Sequence, residues 1–515
     1  MLSIVRACAV VGLDGWVIEV QTDFNPRAGV PIFTIVGLPD SAVKESRERV
    51  RSAIRNSGLA FPNKAYTVNL SPADLPKHST AYDLGIAIGV LAATDQVPLP
   101  ALENALFIGE LSLDGAVRHV RGVMPMVYAA AQAGITTAYV PVQDAEQAAL
   151  VSGVQIIPVS NLGELVEHLY GLHPIPAFEL ETTALQSAPV SMEGLVDFAD
   201  IKGQEQVKRA LEIAAAGNHN TLMIGSPGAG KTLLARAMPG ILPSLSFQEA
   251  LEITRIYSVA DMLPTDHPLM RQRPFRAPHH TISQAGLVGG GSIPKPGETT
   301  LSHRGVLFLD EAVEFSQKAL EVLRQPIEDK IVTISRANGS VTFPANFLLV
   351  LAMNPCPCGY LGDPVKACTC TPAMISRYQS RLSGPLLDRI DIHMEVPRVD
   401  HDKLMGTDRA ESSAQVRERV ERARQRQRMR FEQAGRAHLM SNSDMGVSDI
   451  QQFCTLSPQA KQLLDISVRR MGLSARGYHR VLKLARTIAD LADSALIDVQ
   501  HAAEAIQYRP RTAAG

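Results

Sequence analysis

The sequence predicts an α/β protein built in several domains, and three observations carry that prediction. A short apolar run, a glycine-rich loop and a helical pattern follow one another over 221–238. Two further all-apolar runs, 305–309 and 348–353, have the composition of parallel strands buried on both faces. Beyond residue 400 the pattern turns helical and stays so. At 515 residues the chain is too long for one core. The expected plan is a mixed α+β domain over 1–172, a linker over 173–194, a P-loop α/β core over 195–400 and a helical domain over 401–515.

Within the first domain, apolar alternation predicts strands at 7–11, 15–20, 32–36, 66–70 and 137–140, and helical spacing predicts helices at 41–57 and 82–93. Prolines, weak periodicity and scattered Thr and Ser mark the linker. The last domain should hold helices at 411–435, 457–470, 476–491 and 499–506. No internal repeat or low-complexity tract interrupts this order.

Bulk properties set limits. Hydrophobic residues make up 45% and charged residues 20%, as in ordinary globular proteins. With a net charge of −2, any nucleic-acid partner needs a local basic surface such as a pore lining. The N-terminus lacks a basic n-region, and the best apolar stretch, 84–93, is too short to span a bilayer. A cytoplasmic protein without a membrane segment is therefore expected.

The loop Gly225, Ser226, Pro227, Gly228, Ala229, Gly230, Lys231, Thr232 fits G-x-x-x-x-G-K-[ST] without a gap. Such a loop wraps phosphates with backbone N–H groups, and the following helix N-terminus adds partial positive charge. Lys231 is the candidate ligand of the β/γ oxygens of ATP and Thr232 of Mg²⁺. The second apolar run ends in Asp310 and Glu311, where ligands of open α/β sheets bind. Asp310 is the candidate Mg²⁺ partner through water, and Glu311 the group that polarises the attacking water. The third run ends in Asn354, placed to orient that water, although Asn at a strand end is often only a turn residue.

Four of the six cysteines crowd into Cys356, Cys358, Cys368 and Cys370, two C-x-C pairs ten residues apart. That number does not make a disulfide framework. Four thiolates close a tetrahedral Zn²⁺ site, so a structural zinc is expected, with free thiols or an iron–sulfur role as alternatives.

The phrases Phe275-Arg-Ala-Pro-His-His-Thr281, Pro296-Gly-Glu-Thr-Thr-Leu-Ser-His-Arg-Gly-Val-Leu-Phe-Leu-Asp-Glu311, Met353-Asn-Pro-Cys-Pro-Cys-Gly359, Arg381-Leu-Ser-Gly-Pro-Leu-Leu-Asp-Arg-Ile-Asp391 and Gly472-Leu-Ser-Ala-Arg476 together resemble AAA+ ATPases of the magnesium chelatase-like group, and within it the ComM/YifB family. The likeness extends over nearly the whole chain. Members are described as ring-forming ATPases, among them a hexameric helicase that promotes branch migration in natural transformation. The resemblance implies an AAA+ core with a hairpin before the sensor strand, a helical lid, a homo-hexamer and DNA in a central pore. It also implies that Arg389 is an arginine finger for a neighbouring subunit and Arg476 a sensor in the lid, with Arg480 one turn later able to replace it. A guanidinium in either place stabilises charge on the transferring phosphoryl group; the alternative is a salt-bridged surface arginine.

Residues 331–343 read as that hairpin, turning at Asn338-Gly339, with Arg336 near the tip as a DNA contact or simply an exposed arginine. A second inserted segment near 284–291 is a further pore candidate; His279 and His280 belong to it or serve packing. The segment Pro76-Lys-His-Ser-Thr-Ala-Tyr-Asp-Leu84 resembles the Lon proteolytic domain, yet Ala81 stands at the serine position and Met126 at the lysine position. A Lon-like fold without peptidase activity follows. The arginines between 417 and 430 alternate and so spread around their helix, which suits a solvated helix better than a DNA-binding stripe. The leading functional expectation is a DNA motor; a chelatase-like remodelling ATPase and an ATP-dependent protease or scaffold are the alternatives.

Overall fold

The computed structural model describes residues 1–75, 77–180, 196–264, 268–291, 294–336, 339–382, 384–399 and 410–509. Most of the expected linker, and Asn338 of the expected turn, lie outside the described residues. The chain forms two compact units: Met1–Pro189 with Phe247–Met270, and Val190–Ser246 with Arg271–Gly515. The P-loop core was expected to run unbroken from 195 to 400; the structure instead gives Phe247–Ala260 to the first unit.

The first unit grows from a long antiparallel pair, Leu2–Val11 with Asp14–Asn25. Its mixed sheet runs in the order Phe33–Val36, Ala65–Ser71, Asp14–Asn25, Leu2–Val11, Ala105–Phe107, Thr137–Pro141, Gln155–Val159. The last four strands are mutually parallel and the core-facing residues are apolar. Helix Asp83–Ala93, apolar all round, is buried along its whole length. It is therefore a core helix, which agrees with its being too short for a bilayer. No helix among the described residues is long and apolar enough to cross a membrane.

Helix Phe247–Ala260 is held in this unit by polar contacts as well as packing. Arg255 Nε donates to Leu13 O at 2.7 Å, and its guanidinium pairs with Asp14. His119 sits between two carboxylates: Nδ1 meets buried Asp144 and Nε2 meets Asp261 at 3.1 Å. The hydrogen bond to Asp144 raises its pKa from the ordinary 6.5 to about 9; burial opposes this and Asp261 adds to it. A raised folded-state pKa stabilises below the unfolded value and loses that contribution as pH climbs through the folded one. His119→Gln is thus expected to lower the thermal midpoint at pH 6 and to converge on wild type near pH 9.5. A gap that stays constant across that range would remove the electrostatic account.

The second unit is a five-stranded parallel sheet in the order Phe275–Arg276, Val306–Leu309, Leu348–Met353, Thr221–Ile224, Ile392–Glu395. The three central strands are nearly continuous apolar runs, as burial on both faces requires. Helices Ser413–Gln433, Pro458–Met471, Ala475–Leu491 and Val499–Gln507 share one apolar core with that sheet: Val416, Phe431 and Leu484 belong to the same cluster as Met223 and Val350. Most arginines of Ser413–Gln433 are committed within the unit. Arg419 pairs with Glu212, Arg424 donates to Ala215 O and Met440 O, Arg426 pairs with Asp493, and Arg430 grips buried Asp490 at 2.8 Å. Arg422 and Arg428 remain exposed.

Candidate nucleotide site and cysteine centre

Sheet order explains how residues far apart in sequence meet. The sensor strand Leu348–Met353 lies between the P-loop strand Thr221–Ile224 and the acidic strand Val306–Leu309, so all three C-terminal ends open on one crevice. At the first end the loop turns through Gly228 (φ +77°) and Gly230 (φ +87°), backbone that favours glycine, and then enters helix Lys231–Ile241.

Lys231 Nζ donates to Gly225 O at 2.7 Å, to Ser226 O at 3.1 Å and to Asn354 Oδ1 at 3.1 Å. Burial pulls the Lys231 pKa below its ordinary value, opposed by Asp310 and Glu311. Thr232 Oγ1 donates to Asp310 Oδ2 at 2.7 Å, and Glu311 N donates to Asp310 Oδ1 at 3.0 Å. A hydroxyl and a carboxylate facing one another across this crevice are an oxygen donor set suited to Mg²⁺. Glu311 itself takes a left-handed conformation (φ +50°), uncommon outside glycine, and its side chain is 59% exposed. His280 Nδ1 stands 4.0 Å from Glu311 Oε2, and the His280 ring also meets His279 and Phe315.

Lys231, Thr232, Asp310, Glu311 and Asn354 are thus brought together, and Arg389, expected to serve a neighbouring subunit, makes its contacts within its own chain. Arg389 is largely buried, donates to Pro385 O and pairs with Glu328 at 2.5 Å. Arg476 is exposed on the first turn of Ala475–Leu491. Arg480 is tied to Asp391 at 2.5 Å, which His219 also contacts at 3.2 Å. Burial alone would raise the Asp391 pKa; Arg480 and His219 outweigh it and hold the carboxyl well below its usual range.

Strands Ile331–Arg336 and Gly339–Pro344 pair antiparallel, with Arg336 exposed opposite Gly339. The 284–291 segment packs beside them: a Cβ at Gly289 would come 3.0 Å from Ile334 Cδ1, and one at Gly290 would lie in ordinary contact, 3.8 Å, with the Arg336 guanidinium.

The four cysteine sulfurs lie within 4.8 Å of one another. Cys356 Sγ is 3.4 Å from Cys358 Sγ and 3.6 Å from Cys368 Sγ. Those separations are far longer than a disulfide bond and near the ~3.8 Å edge of a tetrahedron with ~2.3 Å metal–sulfur bonds. The Cys358 and Cys370 amides donate to the sulfurs of Cys370 and Cys368, bonds that favour thiolates. The donor set fits a Zn²⁺ ion with no ligand from outside the loop.

The residue pattern missed two supports of the P-loop. Gln204 Nε2 donates to Ala229 O at 2.7 Å and to Pro397 O at 2.9 Å. Asp363, between the two cysteine pairs, lies against the Ser226 side chain, which helps to hold its carboxyl below the ordinary range. No local signal announces either, because each partner is remote in sequence.

At the Lon-like positions, Ala81 and Met126 are buried in one apolar cluster. Lys77 donates to Pro72 O while Ser79 Oγ accepts from the Ala81 amide, so neither bonds the other. No serine–lysine pair forms there.

This fold and this crevice define a P-loop protein of the AAA+ class. Residues 197–404 match the family described as magnesium chelatase, subunit ChlI; residues 20–144 match the subunit ChlI family and 410–509 its C-terminal family. The competence protein ComM of Haemophilus influenzae is 44% identical over 512 residues, covering 99% of this chain and 97% of that one. The uncharacterized protein YifB of Escherichia coli is 43% identical over 514 residues, with 99% and 97% covered. Lon protease 2 of Bacillus subtilis is 28% identical over 185 residues, 33% of each chain. The chain belongs to the ComM/YifB family of magnesium chelatase-like proteins. That family implies ATP and Mg²⁺ as substrate and cofactor.

Proposed function

We propose that this chain is an ATP-driven DNA motor: a homo-hexameric ring that takes branched or single-stranded DNA through its pore and migrates branches while DNA is integrated by homologous recombination in natural transformation. The observation that carries this reading is one unit holding both a nucleotide crevice and an exposed hairpin, with Arg336 beside the 284–291 segment. Likeness to a competence protein supports the biological setting. In this reading Lys231 and the loop 225–232 hold the phosphates, Thr232 and Asp310 hold Mg²⁺, and Glu311 with Asn354 orients and activates water. Bound Mg²⁺ neutralises charge on the β and γ phosphates. Arg389 serves a neighbour's site, Arg476 senses nucleotide from the lid, Arg336 contacts DNA phosphates, and zinc at the four cysteines orders their loop. The Lon-like domain over 1–172 assists assembly or DNA contact, and the lid over 401–515 reports the nucleotide state.

A labelled four-way or three-strand DNA substrate tests this. Wild type should migrate the branch with ATP, and Glu311→Gln should not. Robust ATP hydrolysis indifferent to DNA, with no strand movement, would discard the motor and favour the second reading. That reading, a magnesium chelatase-like remodelling ATPase acting on a non-DNA partner, draws on the chelatase family match. Porphyrin metal insertion with partner subunits would reveal it.

A further inference from the structure

The loop that carries the four cysteines is one wall of the nucleotide crevice. It begins directly after Asn354, the residue that bonds Lys231, and has no helix or strand until Pro372–Gln379. Such a segment has little besides its side chains to fix its path. Two points on it touch the P-loop. Gly359 lies at φ +83°, and a Cβ there would come 2.6 Å from Pro227 Cδ, so loop backbone rests against the P-loop proline. Farther on, the Asp363 side chain is fully shielded from solvent. Its Oδ1 accepts from the amides of Val365 at 2.9 Å and Lys366 at 3.0 Å, its Oδ2 faces Arg398 Nε at 3.0 Å, and the Ser226 side chain lies against the carboxylate. Arg398 and Lys366 both lie over the ring of Tyr360. Gly359 and Asp363 sit between Cys358 and Cys368, inside the segment that a metal ion would cross-link.

We infer that the four-cysteine metal centre braces the P-loop and thereby sets the affinity for nucleotide. The inference rests on the zinc reading above and adds a consequence to it. A metal bound by both cysteine pairs closes the loop 356–370 and removes much of its conformational freedom. Gly359 is then held on Pro227, and Asp363 on Ser226, which keeps the phosphate-binding turn in its gripping shape. Without the metal the same contacts must be made by an unconstrained loop, and the turn loosens. Gly359 and Asp363 are positioning residues: they touch the P-loop rather than the nucleotide.

Zinc content and equilibrium binding of a fluorescent ATP analogue, measured on the full chain in Mg²⁺, test the brace. Wild type should hold one zinc per chain. Asp363→Ala should keep that zinc yet bind the analogue about tenfold more weakly, the loss of one charged contact on the P-loop. Cys368→Ser with Cys370→Ser should lose the zinc and bind similarly weakly, and adding Asp363→Ala to that pair should cost little more, because both act through one element. A zinc-selective chelator should reproduce the loss in wild type, reversed by added zinc, which separates bracing from misfolding of a variant. Wild type that neither contains nor takes up zinc would overturn the zinc reading and the brace with it. Zinc present, but analogue affinity unchanged by its removal and by Asp363→Ala, would overturn the brace alone.

Discussion

Glu311→Gln is expected to bind ATP as wild type does and to hydrolyse it at least about a hundredfold more slowly. The side chain lies at the mouth of the crevice, beyond Asp310, and takes no part in the contacts that hold the P-loop in shape. Binding should therefore survive while the step needing a base fails. Its left-handed backbone strengthens the case: the chain accepts an uncommon conformation at the residue whose carboxylate faces open space, as residues under functional constraint do. Gln preserves size and removes the charge, with an amide NH2 replacing one carboxylate oxygen at a side chain 59% exposed, so folding should be untouched. Asp310→Asn should behave differently, weakening Mg-ATP binding itself, because Asp310 faces Thr232. Single-turnover hydrolysis with separately measured nucleotide affinity distinguishes the two. A Glu311→Gln rate within a fewfold of wild type would mean that another group activates the water.

Legibility in the sequence followed the range of the interaction. Where chemistry and backbone demand coincide within a few residues, as in 225–232 or the apolar run ending at Asp310, the residues announce both strand and site. The same holds for strands with clean alternation, such as Asp14–Asn25, and for the amphipathic helix Ala475–Leu491. Short buried parallel strands were silent: Ala105–Phe107 and Gln155–Val159 are too brief or too uniformly apolar to show a period. Also silent was the assignment of Phe247–Ala260 to the first unit, since its helical pattern does not tell which core its apolar face meets. The arginine-rich stretch was legible only in part. Alternation excluded a single basic stripe, while the buried partners Glu212 and Asp490 emerged only from the fold. Similarly, spacing brought four cysteines to one point but did not reveal that their loop leans on Pro227 and Ser226.

Arg389→Ala is expected to reduce ATP turnover by about a thousandfold or more, the scale on which an arginine finger acts, and to leave nucleotide binding nearly intact. Within one chain its guanidinium is turned to Glu328 and Pro385 O, not to Lys231 or Glu311, so a catalytic role requires a second copy. The competing account is structural, and magnitudes separate the two. Glu328 is 48% exposed, and an ion pair so open to solvent contributes about 1 kcal/mol or less. Losing it should lower stability slightly and turnover hardly at all. Glu328→Gln is the internal comparison, since it breaks the same pair and keeps the arginine; it should hydrolyse ATP at close to the wild-type rate. Mixing supplies the second readout. Arg389→Ala chains blended with Lys231→Ala chains should recover hydrolysis, because each intact P-loop then meets an intact arginine from its neighbour. Recovery absent at every ratio, or near-normal turnover by Arg389→Ala alone, would assign Arg389 to the packing around Glu328 and leave the ring without its proposed catalytic contact.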